Sequence, residues 1–290
     1  MYPAPFEYHA PSTLPEAIEL IARFGDDAKL LAGSQSLIPL MKLRLARPAH
    51  LVDLRKIAAL RGITTEGGAL RIGAMTTHRE IESSERVRTT LPVMSEAAAL
   101  IGDSQVRNLG TIGGSLSHAD PSADWPAVMV ALDASVQIAS NARERTSKVE
   151  DFIQGPLTTA LEPNEILVQV RVPELSSRAA AAYEKLPDPA SRFAVVGVCA
   201  WVTLADDRTV AAARVAVTGL GPKVTRASAV EQALIGKGLD PSAVDAAAAR
   251  AADGLELRAD LAGSVDYKAH LASVYTARAV RRAIGRALER

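Results

Sequence analysis

The chain has 290 residues, the length of about two ordinary domains of ~150 residues, so its core needs no disulfide or metal staple. Lys and Arg number 33 and Asp and Glu 33, leaving no formal net charge, which argues against nucleic acid or an anionic membrane as a partner. The single cysteine, Cys199, excludes an intramolecular disulfide and any cysteine-held zinc site or iron–sulfur cluster on this chain.

In chain order, the first six residues are neither basic nor followed by an unbroken apolar run, so no secretory or transit signal is expected and the cytoplasm is the expected compartment. No apolar stretch reaches the ~20 residues of a membrane helix, so no transmembrane segment is expected. Thr13 to Phe24 carries Leu14, Ala17, Ile18, Ile21 and Ala22 at helical spacing. Ala28–Ala32 reads as a short buried strand ended by Gly33. Ser36 stands where it can cap a helix over 37–47, with Pro39 in its first turn and Pro48 at its end, and His50–Leu54 reads as the next strand. Strand, turn, helix and strand in that order favour parallel pairing.

A second α/β or α+β unit begins beyond Leu54, with a turn at Gly67 and Gly68, a strand over 70–74, and a capping box Thr77-His-Arg-Glu80. Pro92–Ile101 reads as a helix. The following Gly102–Asp124 is rich in Gly, Ser, Asn and Asp and is expected to be a long functional loop. A helix over 125–132, a strand over 135–139 and an alternating strand over 165–172 follow. Pro173–Ala182 turns to Ser and Ala and is expected to be a linker. Beyond it, 194–204 and 210–218 read as a hairpin, followed by helices over 226–235, 242–252 and from Tyr267 to the end. Arg278, Arg282 and Arg286 line one face of the last helix, expected to be solvated or to dock a partner.

Two glycine-containing turns are candidate binding sites. At Ala32-Gly33-Ser34-Gln35-Ser36 a strand ends and a helix begins, a place where backbone N–H groups can hold phosphate or form a plain connection. It carries neither the dinucleotide fingerprint nor a Walker A sequence. At Asn108-Leu-Gly-Thr-Ile-Gly-Gly-Ser115, Gly110, Gly113 and Gly114 permit positive φ and close ligand approach, while Thr111 and Ser115 add hydroxyls. Asp124 can accept hydrogen bonds from a ribose diol, and Asp120 and Ser122 can instead cap the helix that follows. The five histidines have no paired ligand spacing, so no metal site is expected, and no nucleophile elbow is present.

The chain resembles the FAD-binding (medium) subunit of the molybdenum hydroxylases, the family of carbon monoxide dehydrogenase, xanthine dehydrogenase and related aldehyde, nicotine and hydroxybenzoyl-CoA enzymes. The resemblance runs along nearly the whole chain: Ala32–Ser36 with the following Leu-Ile-Pro-Leu-Met-Lys-Leu-Arg, Arg107–Ser115, His118-Ala-Asp-Pro121 with Asp124-Trp-Pro126, and Gly263-Ser-Val-Asp-Tyr-Lys268. It implies an α+β architecture: a PCMH-type FAD-binding domain over 1–176, built of two α/β subdomains (about 1–54 and 55–176). A C-terminal domain of carbon monoxide dehydrogenase flavoprotein type over 177–290 is implied next, with a small antiparallel sheet and helices.

The resemblance implies that Ala32, Gly33, Ser34, Gln35 and Ser36, together with Thr111, Gly113, Gly114 and Ser115, hold the FAD pyrophosphate, and that Asp124 holds the ribose. It also implies that Lys185 and Phe193 lie beside the isoalloxazine ring. The implied activity is that of an oxidoreductase with no catalytic acid or base on this chain. Electrons released at a molybdenum cofactor on a large subunit pass through two [2Fe–2S] clusters on a small subunit to FAD, and from there to an external acceptor. The implied assembly is a heterotrimer, duplicated. Two departures, Gly-Ser-Gln-Ser in the first turn where carbon monoxide dehydrogenases commonly carry Gly-Gly-His-Ser, and Pro187-Asp-Pro189 in place of basic residues, leave the carbon monoxide substrate uncarried. A self-contained flavin oxidase of the same fold, and a scaffold that has lost FAD, are the alternatives.

Overall fold

The computed structural model describes residues 2–290. Strands β1 (Glu7–His9), β2 (Ala28–Leu31) and β3 (His50–Asp53) form an all-parallel sheet in the order β1-β3-β2. Helix α1 (Leu14–Phe24) opens on a Thr13–Glu16 capping box and buries Ala17, Ile18 and Ile21. Helix α2 covers only Leu37–Lys42, and Ser36 makes no capping bond. The helix stops short of Arg47 because Arg44 turns left-handed, at φ 58°, which breaks the helical hydrogen-bond pattern.

The second unit is a five-stranded antiparallel sheet, β4-β5-β10-β6-β7. Its elements begin with β4 (Ile63–Glu66), β5 (Ala69–Gly73), α3 (His78–Ser83), α4 (Glu85–Thr90) and α5 (Pro92–Ala99). The expected long loop after α5 holds two short helices, α6 (Ser104–Leu109) and α7 (Ile112–His118). Few apolar residues mark them, but each is capped from just before its start: Asp103 accepts from the Val106 amide and Thr111 from that of Gly114. Helix α8 (Asp124–Ala131), buried at every residue, leads to β6 (Ser135–Ala139), β7 (Glu144–Lys148), α9 (Val149–Phe152), the β8 (Ile153–Gly155) and β9 (Thr158–Thr159) pair, and β10 (Ile166–Pro173).

The third unit is an antiparallel sheet of β11 (Ala179–Pro187), β12 (Ala194–Leu204), β13 (Val210–Thr218) and β14 (Thr225–Arg226), with α10 (Ser228–Leu234), α11 (Pro241–Ala248) and α12 (Val265–Leu288). The Ser- and Ala-rich stretch expected to be a linker is thus a strand from Ala179 onward, because small side chains fit between two packed layers. Alternation along β11 and β12 sends Ala181, Tyr183 and Cys199 into the core of the second unit. Ala180, Ala182, Val198 and Ala200 go to the other face, into the core beneath α10–α12. A sheet covered on both faces reads as an unbroken apolar run, as β12 does.

The arginine stripe on α12 is partly solvated and partly tied down: Arg278 and Arg282 are exposed, Arg278 lies over the Tyr275 ring, and Arg282 and Arg286 make ion pairs. Arg282 donates to Glu96 (2.9 Å) and Glu184 (3.0 Å), and Arg286 to Glu96 and the Ala181 carbonyl (2.9 Å). Helix α12 is thereby tied to α5 across the shared core. No helix among the described residues is long and apolar enough to cross a membrane.

Candidate functional site

A crevice of about 650 Å³ runs between the three units, within the usual range of cofactor sites. Its walls include all five residues of the first turn, Thr111, Gly113, Gly114 and Ser115 of the second, and Asp124 and Phe193. The two turns abut: a Cβ built on Gly33 would lie 2.3 Å from the Leu109 carbonyl oxygen and 2.6 Å from Gly110 Cα. Only a residue without Cβ lets the backbones meet so closely.

The first turn follows β2 directly. Ser34 is left-handed, at φ 67°, a conformation that costs a residue with a side chain roughly 1–2 kcal/mol and that folds consecutive amides into an anion-binding concavity. The amides of Gly33, Ser34, Gln35 and Ser36 donate to no acceptor among the described residues. Unpartnered donors on a crevice wall fit an anionic group such as a diphosphate.

The second turn is built differently from the sequence expectation. Gly110 has φ −61°, and neither Gly113 nor Gly114 has positive φ; both belong to α7. Gly113 is needed for proximity, since a Cβ there would lie 2.5 Å from the Ala74 Cβ and 2.7 Å from its carbonyl oxygen. Several of the amides are already used. Gly113 donates to the Ala74 carbonyl (2.9 Å), Ser115 to that of Thr111 (3.0 Å) and Gly114 to Thr111 Oγ1 (3.1 Å). The first turn therefore carries the free amides and the second supplies shape and hydroxyls.

Asp124 and Lys185 meet each other. Lys185 Nζ donates to Asp124 Oδ2 (2.8 Å) and to the Leu100 carbonyl (3.1 Å), and the Tyr183 hydroxyl donates to Asp124 Oδ1 (2.6 Å). Both carboxylate oxygens thus hold donors from β11, while Asp124 also stands on the crevice wall. Burial pushes the Tyr183 hydroxyl well above its ordinary range, and the Asp124 carboxylate adds to the shift, so Tyr183 stays a donor. Asp120 keeps one oxygen for the Ser122 amide (2.8 Å) and also lines the crevice. It caps no helix: the residue before α8 is Ala123, and no side chain caps that helix. Phe193, 41 % exposed, stands on the crevice wall at the end of the β11–β12 loop, where the Ala194 amide donates to the Ser122 carbonyl (3.1 Å).

His78 is a wall residue that sequence reading passed over, although its position after the Thr77 cap places it in the first turn of α3. Trp125 Nε1 donates to His78 Nδ1 (3.0 Å). Burial, reinforced by the Arg107 charge, lowers the His78 pKa to about 4. Between that value and about 6.5 the unfolded chain binds a proton that the folded chain does not. The stabilisation is therefore complete above pH 6.5 and is lost as pH falls toward 4, by about 2 kcal/mol at pH 5. His78→Gln, which retains an acceptor for Trp125, is expected to flatten that dependence; urea unfolding at pH 7 and pH 5 measures it.

A family model described as the FAD binding domain in molybdopterin dehydrogenase matches residues 4–175, and one described as the CO dehydrogenase flavoprotein C-terminal domain matches 181–283. The carbon monoxide dehydrogenase medium chain of Hydrogenophaga pseudoflava is 42 % identical over 286 residues, 99 % of each chain. A subunit (alpha) of the 6-hydroxypseudooxynicotine dehydrogenase complex of Paenarthrobacter nicotinovorans is 36 % identical over 99 % of this chain and 97 % of its own. Among solved structures, the H. pseudoflava carbon monoxide dehydrogenase that lacks the Mo-pyranopterin moiety of its cofactor superposes with a TM-score of 0.95 at 43 % identity, over 99 % of both chains. With relatives of that similarity along its whole length, and a crevice that offers free amides where a diphosphate would lie, the chain belongs to the family of FAD-binding medium subunits of the molybdenum hydroxylases, a family of oxidoreductases.

Proposed function

We propose that this chain accepts electrons from [2Fe–2S] clusters on a small partner subunit and passes them, through its FAD, to an external acceptor, in a complex whose large subunit carries the molybdenum cofactor. The observation that carries the proposal is the abutment of the two turns around a crevice whose first wall holds unpartnered amides. FAD, when bound, supplies the chemistry that takes electrons singly and releases them in pairs. The chain's own residues bind, orient and shield it. Gly33 to Ser36 donate main-chain N–H to the diphosphate, aided by the hydroxyls of Thr111 and Ser115, and Gly113 and Gly114 let the two walls close. Phe193 covers an aromatic ring face. Asp124, Lys185 and Tyr183 act as a group that holds the segment leading into α8 against β11.

The proposed division is 1–176 for cofactor binding, in two subdomains that meet at about residue 54, and 177–290 for the C-terminal unit, which closes the crevice. Partner subunits are supported by apolar side chains left exposed just after the first turn, Leu43 at 57 % and Leu45 at 73 %. The proposed assembly is a heterotrimer, duplicated, in the cytoplasm.

The test uses the purified complex, with and without FAD on this chain. With FAD, substrate is expected to reduce the clusters and an added dye acceptor to turn over. Without FAD, the visible cluster absorption is expected to bleach on substrate addition while acceptor turnover falls at least 100-fold. Undiminished turnover in the FAD-free complex overturns the electron route.

A further inference from the structure

Outside the crevice, one cluster of side chains has the geometry of a cation site. Glu7 and His9 are two residues apart on β1, so strand alternation sends both to one face of the sheet. β1 pairs with β3 in the register Glu7↔His50, which brings a third ligating group beside them from 41 residues away. His9 Nε2 lies 3.2 Å from His50 Nδ1, while Glu7 Oε2 lies 3.5 Å from His50 Nδ1 and 3.9 Å from His9 Nε2.

Three atoms at those separations lie on a circle of radius about 2.1 Å, which is the length of a zinc–imidazole or zinc–carboxylate bond. An ion near the centre of that circle lies at bonding distance from all three ligand atoms. The rings are also held in place. Phe24, the last residue of α1, stacks on His50 with centroids 3.7 Å apart and planes 10° apart, and on His9 at 5.1 Å. The Glu7 side chain is 72 % exposed, so solvent reaches the open coordination position.

We propose that Glu7, His9 and His50 bind one divalent cation of the zinc class, with water completing a four-coordinate shell. Two imidazoles and one carboxylate favour zinc and its transition-metal neighbours over magnesium or calcium, which take oxygen ligands. The ion replaces the proton shared between the two rings and ties β1, a strand of three residues, to β3. The site is at the start of β3, whereas the crevice turn follows the end of the neighbouring β2, so the ion pins the amino-terminal strand and takes no part in holding FAD.

Zinc sulfate titrated into the metal-free full chain, followed by calorimetry and metal analysis after dialysis, tests the proposal. One equivalent of bound zinc and a raised Tm are expected. His50→Phe, which preserves the stack on Phe24, and Glu7→Gln, at an exposed position, are each expected to weaken zinc binding about 100-fold or more with FAD content unchanged. Should His50→Phe fail to fold, the Glu7→Gln titration decides alone. Less than one equivalent in the parent chain, or affinity unchanged in the variants, overturns the proposal.

Discussion

Gly33→Ala is expected to yield a folded chain that has lost most of its FAD. The new methyl would sit 2.3 Å from the Leu109 carbonyl oxygen and 2.6 Å from Gly110 Cα. Both are main-chain atoms, so no flexible side chain can yield and the two turns must move apart. Overpacking of this kind costs about 1–3 kcal/mol, less than the ~5–15 kcal/mol total stability of an ordinary folded chain. None of the three atoms that the new methyl would meet belongs to a side chain of the hydrophobic clusters, so the cores retain their packing. The cost instead falls on the crevice, because the four free amides of Gly33 to Ser36 lose their position relative to α7. An FAD content at least tenfold below the parent, from the visible spectrum at equal protein concentration, with far-UV circular dichroism unchanged, is the expected result. Full FAD content in this variant shows that the abutment of the turns does not shape the phosphate wall.

Lys185→Met is expected to be the most destabilising single change of those considered. Lys185 Nζ is buried and donates to Asp124 Oδ2, so its removal leaves a carboxylate in the core with Tyr183 as its remaining side-chain donor. Stranding one member of a buried ion pair costs about 3–5 kcal/mol. Asp124→Asn strands the ammonium and is expected to cost a similar amount. The double variant strands neither charge, so its loss is expected to fall short of the sum of the two by about 2 kcal/mol or more. Guanidinium unfolding of the parent, the two single variants and the double variant measures the coupling. Additive losses would exclude a direct interaction. Because Asp124 opens α8 and Lys185 lies on β11, the same cycle measures how firmly the cofactor-binding and C-terminal units are joined.

Much of the local structure is legible in the residues. The helix that ends at Phe24, the cap at Thr77, the parallel pairing of β2 with β3 and the β12–β13 hairpin are all found where local pattern puts them. Helices α6 and α7 were not legible, since their polar residues carry no apolar stripe and only the caps mark them. Nor was the start of β11: a run of alanines says nothing of burial, and its strand form depends on the layers packed on its two faces.

For the site, the order of motifs along the chain sufficed to identify both turns and the family that carries them, because turns of this kind are dictated by short-range backbone geometry. What the side chains near them do was decided only by tertiary contact. Asp124 and Lys185 are 61 residues apart and become a buried pair. His9 and His50 are 41 apart and become neighbours. Arg282 reaches Glu96 across 186 residues. The reason is physical: conformational preference acts over a few residues, whereas the energy of a charge or an imidazole depends on burial and on partners that strand pairing and core packing bring from elsewhere.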